Sequence, residues 1–394
     1  MLLCTYRAIQ YPLTSVTITI YYMWKRLFCQ VTDGEFSLEL VQVLFRHGDR
    51  TPREKEISPV DYHNISIYEP WGLAQLTNEG KMREYRIGTM LKERYGKFLG
   101  DIYRPSDVYA YSTDHDRTKM SLQLVLAGLY HPSPLQTWNQ NLSWMPIPIY
   151  YMPEKIDNIL KPDLSPLYMK AVNEVRNTEE ILGKLLSYKD LFKLLSEKTG
   201  LNITTTHMAY EIYNQLVAKE TMNHLLPEWY TDEVSKKLQD IVKIEYEIRS
   251  YTPLLRRLNG GVIIKRFIDN IRINEKRDRP RKIYLYSGHE VNIAAVVRAL
   301  NLTEPEIPPY GSAIIFEKLK DLNNKVYIRM LFWNGVMDEL KVYKIPECDE
   351  ICSIEKYLNI VNDLLPSDEE VNHKWDYLSK EELQKLYVET LNVN

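Results

Sequence analysis

Hydrophobic and polar residues alternate in two different ways along the first third of the chain. Residues 36–45 switch between polar and apolar positions and end in an apolar run, as a strand that enters a core does. Residues 76–96 repeat their apolar positions at helical spacing, with Thr77 as the N-cap and Gly96 as the residue that ends the helix. A second strand is predicted at residues 107–113, and another helix follows it. Strands that alternate with helices predict an α/β sheet.

The pattern changes between about residues 132 and 253, where proline-rich loops give way to repeated helical stretches. We interpret this part as a helical cap subdomain inserted into the sheet domain. Beyond it, a strand at residues 282–287 lies between two helices, and two further strands predict a closing pair. The predicted fold is α/β, with a mixed, mostly parallel sheet flanked by helices. The predicted divisions are an N-terminal segment (1–35), an α/β core (36–131 and 254–345), the helical cap (132–253) and a C-terminal extension (346–394).

The first 35 residues do not fit a standard targeting segment. An apolar stretch at residues 13–24 is followed, rather than preceded, by Lys25 and Arg26, and Pro12 interrupts its start. A signal peptide has its positive charge first and a cleavage site of small residues last. We interpret this segment as an irregular signal or anchor, or as a misassembled start of the sequence.

Composition narrows the functional class. Hydrophobic residues make up 44% of the chain and charged residues 26%, which is typical of a folded protein. The formal net charge is -3, so no global field attracts nucleic acid or an anionic membrane. We therefore expect no nucleic-acid partner. The chain carries no Walker loop, HExxH motif or aspartate cluster, and we expect neither a metal nor another cofactor.

Sequons and cysteines favour the secretory pathway. The candidate glycosylation sites are Asn64, Asn141, Asn202 and Asn301. Cys348 and Cys352 are closely spaced and are expected to be linked in a secreted protein, or reduced in a cytosolic one. Cys4 and Cys29 are the other two cysteines.

Three short polar segments each follow a predicted strand, at residues 44–50, 111–118 and 286–292. Because the carboxyl ends of strands form the ligand crevice of an open α/β sheet, we expect their side chains to meet at one edge. The side chains that they would bring together are Arg46, His47, Arg50, Arg117, His289 and Glu290. Guanidinium groups bind phosphate oxygens in pairs and stay charged at any pH. The set predicts a site for a dianion the size of phosphate.

His47 lies among cations, and this affects its expected protonation. Neighbouring positive charge disfavours the imidazolium, so we expect a neutral ring that can attack phosphorus and form a phosphohistidine. Glu290 would protonate the leaving oxygen, since its reference pKa of about 4.3 leaves part of it protonated near pH 5. Taken singly, the three segments also fit a basic surface turn, a hydrogen-bonded turn and a helix N-cap, and Glu290 also fits a charge that stabilises a helix start.

The segment RHGDRTP resembles the RHGxRxP signature of the histidine acid phosphatases. The resemblance extends over about residues 38–358, through YAYSTDHDRTKMS and LLPEWYT to the cysteine pair, and is greatest to the prostatic and lysosomal branch. It implies an α/β sheet with a helical cap and His47 as the nucleophile. It also implies a phosphate-binding set of Arg46, Arg50, Arg117 and His289.

The chain departs from that family at two points. The usual His-Asp pair is His289-Glu290 here, a variant that we associate with insect venom acid phosphatase-like proteins. The further cysteines of the mammalian branch are missing, as is the C-terminal membrane segment of the lysosomal type. We expect a secreted protein and not a lysosomal one because that membrane segment is missing. Through the His289-Glu290 variant, the resemblance implies that Glu290 stands where the family's usual aspartate proton donor does. Relatives of this type are often dimers, so a homodimer is possible.

The sequence therefore predicts an acid phosphatase that acts on small phosphate monoesters or phosphorylated peptides. A phytase or inositol-polyphosphate phosphatase would need a strongly basic pocket rim, whereas the loop at residues 53–70 has mixed charge. A non-catalytic phosphate-binding or venom-type interaction protein would have no need of His47. A sugar-phosphate mutase would differ in releasing no free phosphate.

Overall fold

The computed structural model describes residues 35–335, 340–372 and 379. The predicted signal or anchor segment lies outside these residues, apart from Glu35, and so do Cys4 and Cys29. Much of the predicted C-terminal extension also lies outside them.

One mixed sheet forms the centre of the described chain. Its strands are β1 (Phe36–Arg46), β2 (Val108–Ser112), β3 (Tyr150–Tyr151), β4 (Ile283–Gly288), β5 (Ala313–Asp321), β6 (Val326–Trp333), β7 (Leu340–Tyr343) and β8 (Cys352–Ser353). They lie in the order β3–β2–β4–β1–β5–β6–β7, with β8 beside β6. The first four are parallel, and β5 to β7 continue the sheet in antiparallel pairs. The predicted mixed sheet and its closing strand pair are confirmed.

Helices flank this sheet and fill the interval between β3 and β4. They are α1 (Asn78–Leu99), α2 (Asp116–Leu129), α3 (Pro166–Arg176), α4 (Glu179–Leu186), α5 (Lys189–Thr199), α6 (Thr206–Thr221), α7 (Asp232–Ile248), α8 (Pro253–Arg256), α9 (Val262–Glu275), α10 (Glu290–Ala299), α11 (Ile354–Val361) and α12 (Asp368–Asn372). A π-helical turn, Arg257–Gly261, joins α8 to α9.

The central strand β1 is buried on both faces. Val43 and Phe45 point towards α1 and α2, where they pack in one apolar cluster with Leu91. Leu44 points to the opposite face and belongs to the cluster that holds Phe267 of α9. A strand covered on both faces reads as a continuous apolar run, which explains the end of the pattern at residues 36–45.

Helices α3 to α7 form clusters separate from the two faces of the sheet. Val172 and Ile181 pack with Ile248 in one cluster, and Leu195 packs with Ile241 in another. The predicted helices of this region are therefore present. Their description as a subdomain bounded at residues 132 and 253 stays a prediction.

The ends of α1 test two sequence assignments. Thr77 is the N-cap, and its Oγ1 accepts a hydrogen bond of 3.1 Å from the backbone N–H of Gly80. The prediction that Gly96 ends the helix is wrong, because α1 continues to Leu99. Gly100 is the residue with the left-handed φ of 81°, and its N–H donates to the Gly96 carbonyl at 2.8 Å. Both residues are glycine, and only the backbone path distinguishes the helix end from a tolerated interior position.

Strand β8, next to the cysteine pair, attaches the C-terminal part to the sheet. Cys348 and Cys352 form a disulfide, and Cys352 pairs with Ile328 of β6. All four sequon asparagines are exposed, although their glycosylation stays a prediction. Across the described ranges, no helix is both long and apolar enough to cross a membrane.

Candidate active site

The three predicted polar segments meet at the carboxyl ends of parallel strands. His47 directly follows β1 and His289 directly follows β4, and the two strands are neighbours with Arg46 opposite Gly288. The His47 N–H donates to the Gly288 carbonyl at 3.1 Å, and the centroids of the two imidazoles lie 5.5 Å apart. Arg117 comes from the first turn of α2, which follows β2. Strand order thus brings together residues that are far apart in sequence.

Five of the six predicted side chains line one cavity of about 500 Å³. They are His47, Arg50, Arg117, His289 and Glu290. Arg46 lines a neighbouring cavity of about 990 Å³ instead, and Glu290 lines both. The side chains of Arg46 and Glu290 therefore lie where the two cavities approach each other.

Close backbone contact fixes the loop that carries His47. A Cβ at Gly48 would clash with the carbonyl of Gly80 at the start of α1, and a Cβ at Gly80 would clash with the backbone of Asp49. The Gly48 N–H also donates to Ser121 Oγ at 3.3 Å. Glycine at both positions allows the loop and α1 to approach so closely.

The surroundings of His47 hold its ring in the neutral state and fix which nitrogen carries the proton. Its Nδ1 lies 2.9 Å from the Gly48 carbonyl, which can only accept, so Nδ1 carries the proton and Nε2 carries the lone pair. The residue is 1% exposed. Burial lowers the pKa of His47 far below its usual value, and Arg117, Arg46 and Arg50 lower it further. The expected neutral state follows, and burial contributes more to it than the neighbouring cations do.

Arg50 is bound to an acid that the sequence analysis did not select. Its two terminal nitrogens donate to the carboxylate oxygens of Glu56 at 2.7 and 2.8 Å. The pair is almost fully buried, and within the described ranges the Nε of Arg50 has no hydrogen-bond partner. Burial raises the pKa of Glu56, but Arg50 and Arg53 more than offset this and hold it at about 2. Arg50 is therefore held in place by Glu56, with its Nε as the unpartnered donor.

Arg117 has no such partner. Within the described chain, no acid lies within ion-pairing distance of its guanidinium, and its buried Nε makes no hydrogen bond. Burial lowers its pKa to about 9, with further lowering from Arg50 and Arg53. An arginine that is 5% exposed and lacks a counter-ion leaves the cavity short of negative charge.

Glu290 is fixed from two sides. Arg46 Nε forms an ion pair with Oε2 of Glu290 at 3.2 Å, without hydrogen-bond geometry. The Tyr210 hydroxyl donates a hydrogen bond to Oε1 of Glu290. Arg46 also donates to the Pro308 carbonyl at 2.7 Å, and its guanidinium carbon lies 3.9 Å from the Tyr310 ring centroid. These contacts place the carboxylate at the first position of α10, where the helix dipole also favours negative charge.

The protonation of Glu290 differs from the expectation of an unshifted carboxyl. Burial raises the pKa of Glu290, but Arg46, the hydrogen bond from Tyr210 and Arg50 together lower it below the usual range. In the free protein the group is therefore ionised near pH 5, and the expectation of a partly protonated Glu290 is wrong for that state. The contacts of Glu290 with Tyr210 and Arg46 account for the difference.

The sequence matches the histidine phosphatase superfamily (branch 2) over residues 37–333. The venom acid phosphatase Acph-1 of Apis mellifera is 40% identical over 88% of this chain and 90% of that protein. The lysosomal acid phosphatase of Xenopus laevis is 32% identical over 84% of this chain and 77% of that protein. The prostatic acid phosphatase of Rattus norvegicus is 30% identical over 84% of this chain and 87% of that protein. The chain belongs to the histidine phosphatase superfamily.

Solved structures agree on the fold. The phytase from Citrobacter braakii superposes with a TM-score of 0.61 at 16% identity, over 85% of this chain and 99% of that one. The Hafnia alvei phytase in complex with myo-inositol hexakis sulphate superposes with a TM-score of 0.61 at 16% sequence identity. The match covers 85% of this chain and 98% of that one. The resemblance to the histidine acid phosphatases and the predicted fold class are both confirmed.

The rim of this histidine phosphatase has balanced charges. Five further cations line the cavity around the predicted site residues and form its rim, and each lies within 4 Å of an acid. The pairs are Arg53 with Glu56 and Glu211, Lys55 with Glu211, Lys161 with Glu154 and Asp163, and Arg176 and Arg249 with Glu245. The mixed charge read from the loop at residues 53–70 is thus part of a paired network. No group of three or more histidines, cysteines or acids in the described ranges could hold a metal.

Sequence reasoning missed three residues next to the phosphatase cavity: Glu56, Tyr210 and Tyr310. Glu56 lies in a run of alternating charge, Arg53 to Glu56, and the run does not tell which acid turns inward. The two tyrosines belong to a set of 29, and no local pattern marks them. Their positions depend on the packing of distant segments.

Proposed function

We propose that this protein is an acid phosphatase that hydrolyses phosphate monoesters through a phosphohistidine on His47. The observation that carries the proposal is the buried Arg117, which has no counter-ion among the described residues, beside a neutral imidazole whose Nε2 carries the lone pair. A phosphate dianion supplies the missing charge, and the imidazole supplies the nucleophile. A purely phosphate-binding protein of this fold would need the arginine but not the nucleophile.

The reaction then has two steps. Nε2 of His47 forms a bond to phosphorus, the ester P–O bond breaks, and the leaving oxygen takes a proton from Glu290. In the second step a water attacks phosphorus and the N–P bond breaks. Both protons of the water stay on the phosphate that is released, and Glu290 regains its proton from solvent. Inorganic phosphate leaves, and His47 is neutral again. The arginines balance the charge on the phosphoryl oxygens in both transition states.

Substrate binding prepares Glu290 for its part. Arg46 is a main cause of its low pKa in the free protein. A bound phosphate group brings negative charge next to Glu290 and offsets the effect of the arginines, so the pKa of Glu290 rises in the complex. An acidic working pH then supplies the proton that the leaving oxygen needs.

The balanced rim favours substrates with one phosphate over inositol polyphosphates. A substrate with many phosphates requires additional unpaired cations around the pocket, and the five rim cations are already bound to acids. Small phosphate monoesters and phosphorylated peptides remain the proposed substrate class. The likeness to phytase structures concerns the fold.

A secreted location fits the relatives and the surface of the chain. The proteins similar to it include a venom and a lysosomal acid phosphatase. The Cys348–Cys352 disulfide and the exposed sequons are compatible with an oxidising secretory compartment. We propose secretion, with the lysosome as the alternative, and the homodimer stays a prediction.

Hydrolysis of p-nitrophenyl phosphate from pH 3 to 9, with EDTA present, tests the proposal in wild type and His47→Ala. We expect wild-type activity in the acidic range and less than about 1% of it in the variant, since loss of a covalent nucleophile removes the chemical step. The variant should still bind vanadate through its arginines. Activity above that level, or faster phosphate release from inositol hexakisphosphate than from monoesters, would contradict the proposal.

A further inference from the structure

We propose that Tyr210 is a positioning residue for the proton donor: its hydroxyl holds the Glu290 carboxyl at the reaction site and stabilises its ionised form. The inference rests on the proposed role of Glu290 as general acid. The contact joins α6 of the helical region to the start of α10, across 80 residues of sequence. Nothing in the nucleophile motif supplies it.

The Tyr210 ring is itself held rigidly. It is 5% exposed and lies between two aromatic neighbours on α6 and α7. His207 stacks on it at 6.0 Å between centroids and 24° between planes, and Tyr246 meets it edge to face at 6.2 Å. The ring has little room to turn, so its hydroxyl stays directed at Glu290 Oε1.

Glu290 has two oxygens, and the structure assigns them different neighbours. Arg46 pairs with Oε2 and Tyr210 donates to Oε1. Burial and the Glu290 charge raise the pKa of Tyr210 well above its usual value, so the phenol remains a donor at every working pH. When substrate draws on the charge of Arg46, the Tyr210 hydrogen bond is the contact that still fixes the carboxyl.

The surroundings of Glu290 come from several elements. The titratable and charged groups that act on it are Arg46, His47, Arg50, Arg117, Tyr210, Tyr246 and Tyr310. Of the tyrosines in this set, Tyr210 is the one with a hydrogen bond to the carboxylate. Removing that bond leaves the charges in place and changes only the donor to Oε1.

Tyr210→Phe in the full chain tests the inference because it keeps the ring and removes the hydroxyl. A lost donor to the carboxylate raises the pKa of Glu290, so the alkaline limb of the kcat profile for glycerol phosphate should move up by about 1 pH unit. The kcat at the optimum should fall about tenfold, since the freed carboxyl is poorly placed, with KM almost unchanged. Hydrolysis of p-nitrophenyl phosphate, whose phenolate leaves unaided, should change less than about twofold.

Tyr213→Phe is the matched control, three residues further along α6 and without a hydrogen bond to Glu290 in the structure. It should leave the pH profile of both esters as in wild type. Glu290→Asp gives an independent check, because its carboxyl is one methylene shorter and should lose the contact. Its alkaline limb should move in the same direction, and Tyr210→Phe should add no further shift in that background.

The outcomes separate two failures. If Glu290→Gln slows glycerol phosphate selectively but Tyr210→Phe has the wild-type profile, the positioning role of Tyr210 is overturned alone. An equal loss for both esters together with a lower melting temperature would also overturn it, as a structural role predicts. If Glu290→Gln affects the two esters equally, the general-acid proposal fails, and the inference fails with it.

Discussion

The same arginines have opposite effects on two sides of the cavity: the nucleophile side, at His47, and the acid side, at Glu290. Both His47 and Glu290 are buried beside Arg46 and Arg50. Positive charge removes the proton from the imidazole and so prepares the nucleophile for attack. It also removes the proton from the carboxyl, which delays the acid until substrate arrives. The same cations can therefore keep the nucleophile neutral and the acid ionised at one pH.

The two sides also differ in how the chain builds them. His47 and its arginines follow strand ends that lie side by side, and Gly48 and Gly80 lock the loop. Glu290 takes its fixed orientation from Tyr210, which belongs to the helical region. The nucleophile side should therefore tolerate changes in the helical region better than the acid side does.

Loss of the unpaired cation should have the largest effect. Arg117→Ala removes a charge that has no acid partner in the described part of the chain, so no buried acid is left unpaired and the fold should persist. We expect kcat/KM for p-nitrophenyl phosphate to fall about 10²–10³-fold, as for other donors to a transition-state oxyanion. Steady-state kinetics at the pH optimum provide the measurement. Arg272→Ala, with 59% of its side chain exposed, is the control and should match wild type. A drop below tenfold would mean that Arg117 does not face the phosphate.

Glu56→Gln should lower the stability of the folded protein by disrupting the nucleophile side of the cavity. Removing the acid leaves the buried Arg50 uncompensated, and we expect the free energy of unfolding to fall by about 3 kcal/mol at pH 6. The pKa of Glu56 is depressed to about 2 in the folded protein, so its contribution is complete above the unfolded value and is lost as pH falls through about 2. The difference between wild type and variant should therefore narrow at low pH.

Urea unfolding at pH 6 and pH 3 measures this difference. Glu54→Gln changes a nearby exposed glutamate and should cost less than about 0.5 kcal/mol. If the free energies of unfolding of Glu56→Gln and Glu54→Gln differed by the same amount at both pH values, the assigned role of the Arg50–Glu56 pair would be contradicted.

The acid side should show a smaller and more selective effect. Glu290→Gln cannot donate the carboxyl proton, so hydrolysis of glycerol phosphate should slow about 100-fold and that of p-nitrophenyl phosphate only about threefold. The ratio of the two kcat values is the quantity to measure. Equal slowing, or a loss of thermal stability alone, would assign Glu290 to stabilising the start of α10 instead.

The parts of the site that local sequence specifies were predictable. Strand-end segments, the Thr77 cap and the resemblance around RHGDRTP led to the sheet and to the six candidate side chains. What sequence could not provide was the pairing of those side chains, because Glu56 and Tyr210 reach the cavity from a loop and a helix with no marking pattern. The state of Glu290 followed from those pairings, and the expectation for it failed for that reason. The prediction that Gly96 ends α1 failed for a related reason. The backbone path distinguishes Gly96 from Gly100, and the local sequence does not show that path.

Direct detection of the covalent intermediate tests the central claim most sharply. Wild-type protein mixed with p-nitrophenyl phosphate and quenched in alkali within milliseconds should carry one phosphoryl group, on the peptide that contains His47. The group should survive base, be lost in acid and be absent from His47→Ala. Phosphate on another residue, or turnover with no phosphorylated peptide under conditions where the second step is slow, would contradict the account.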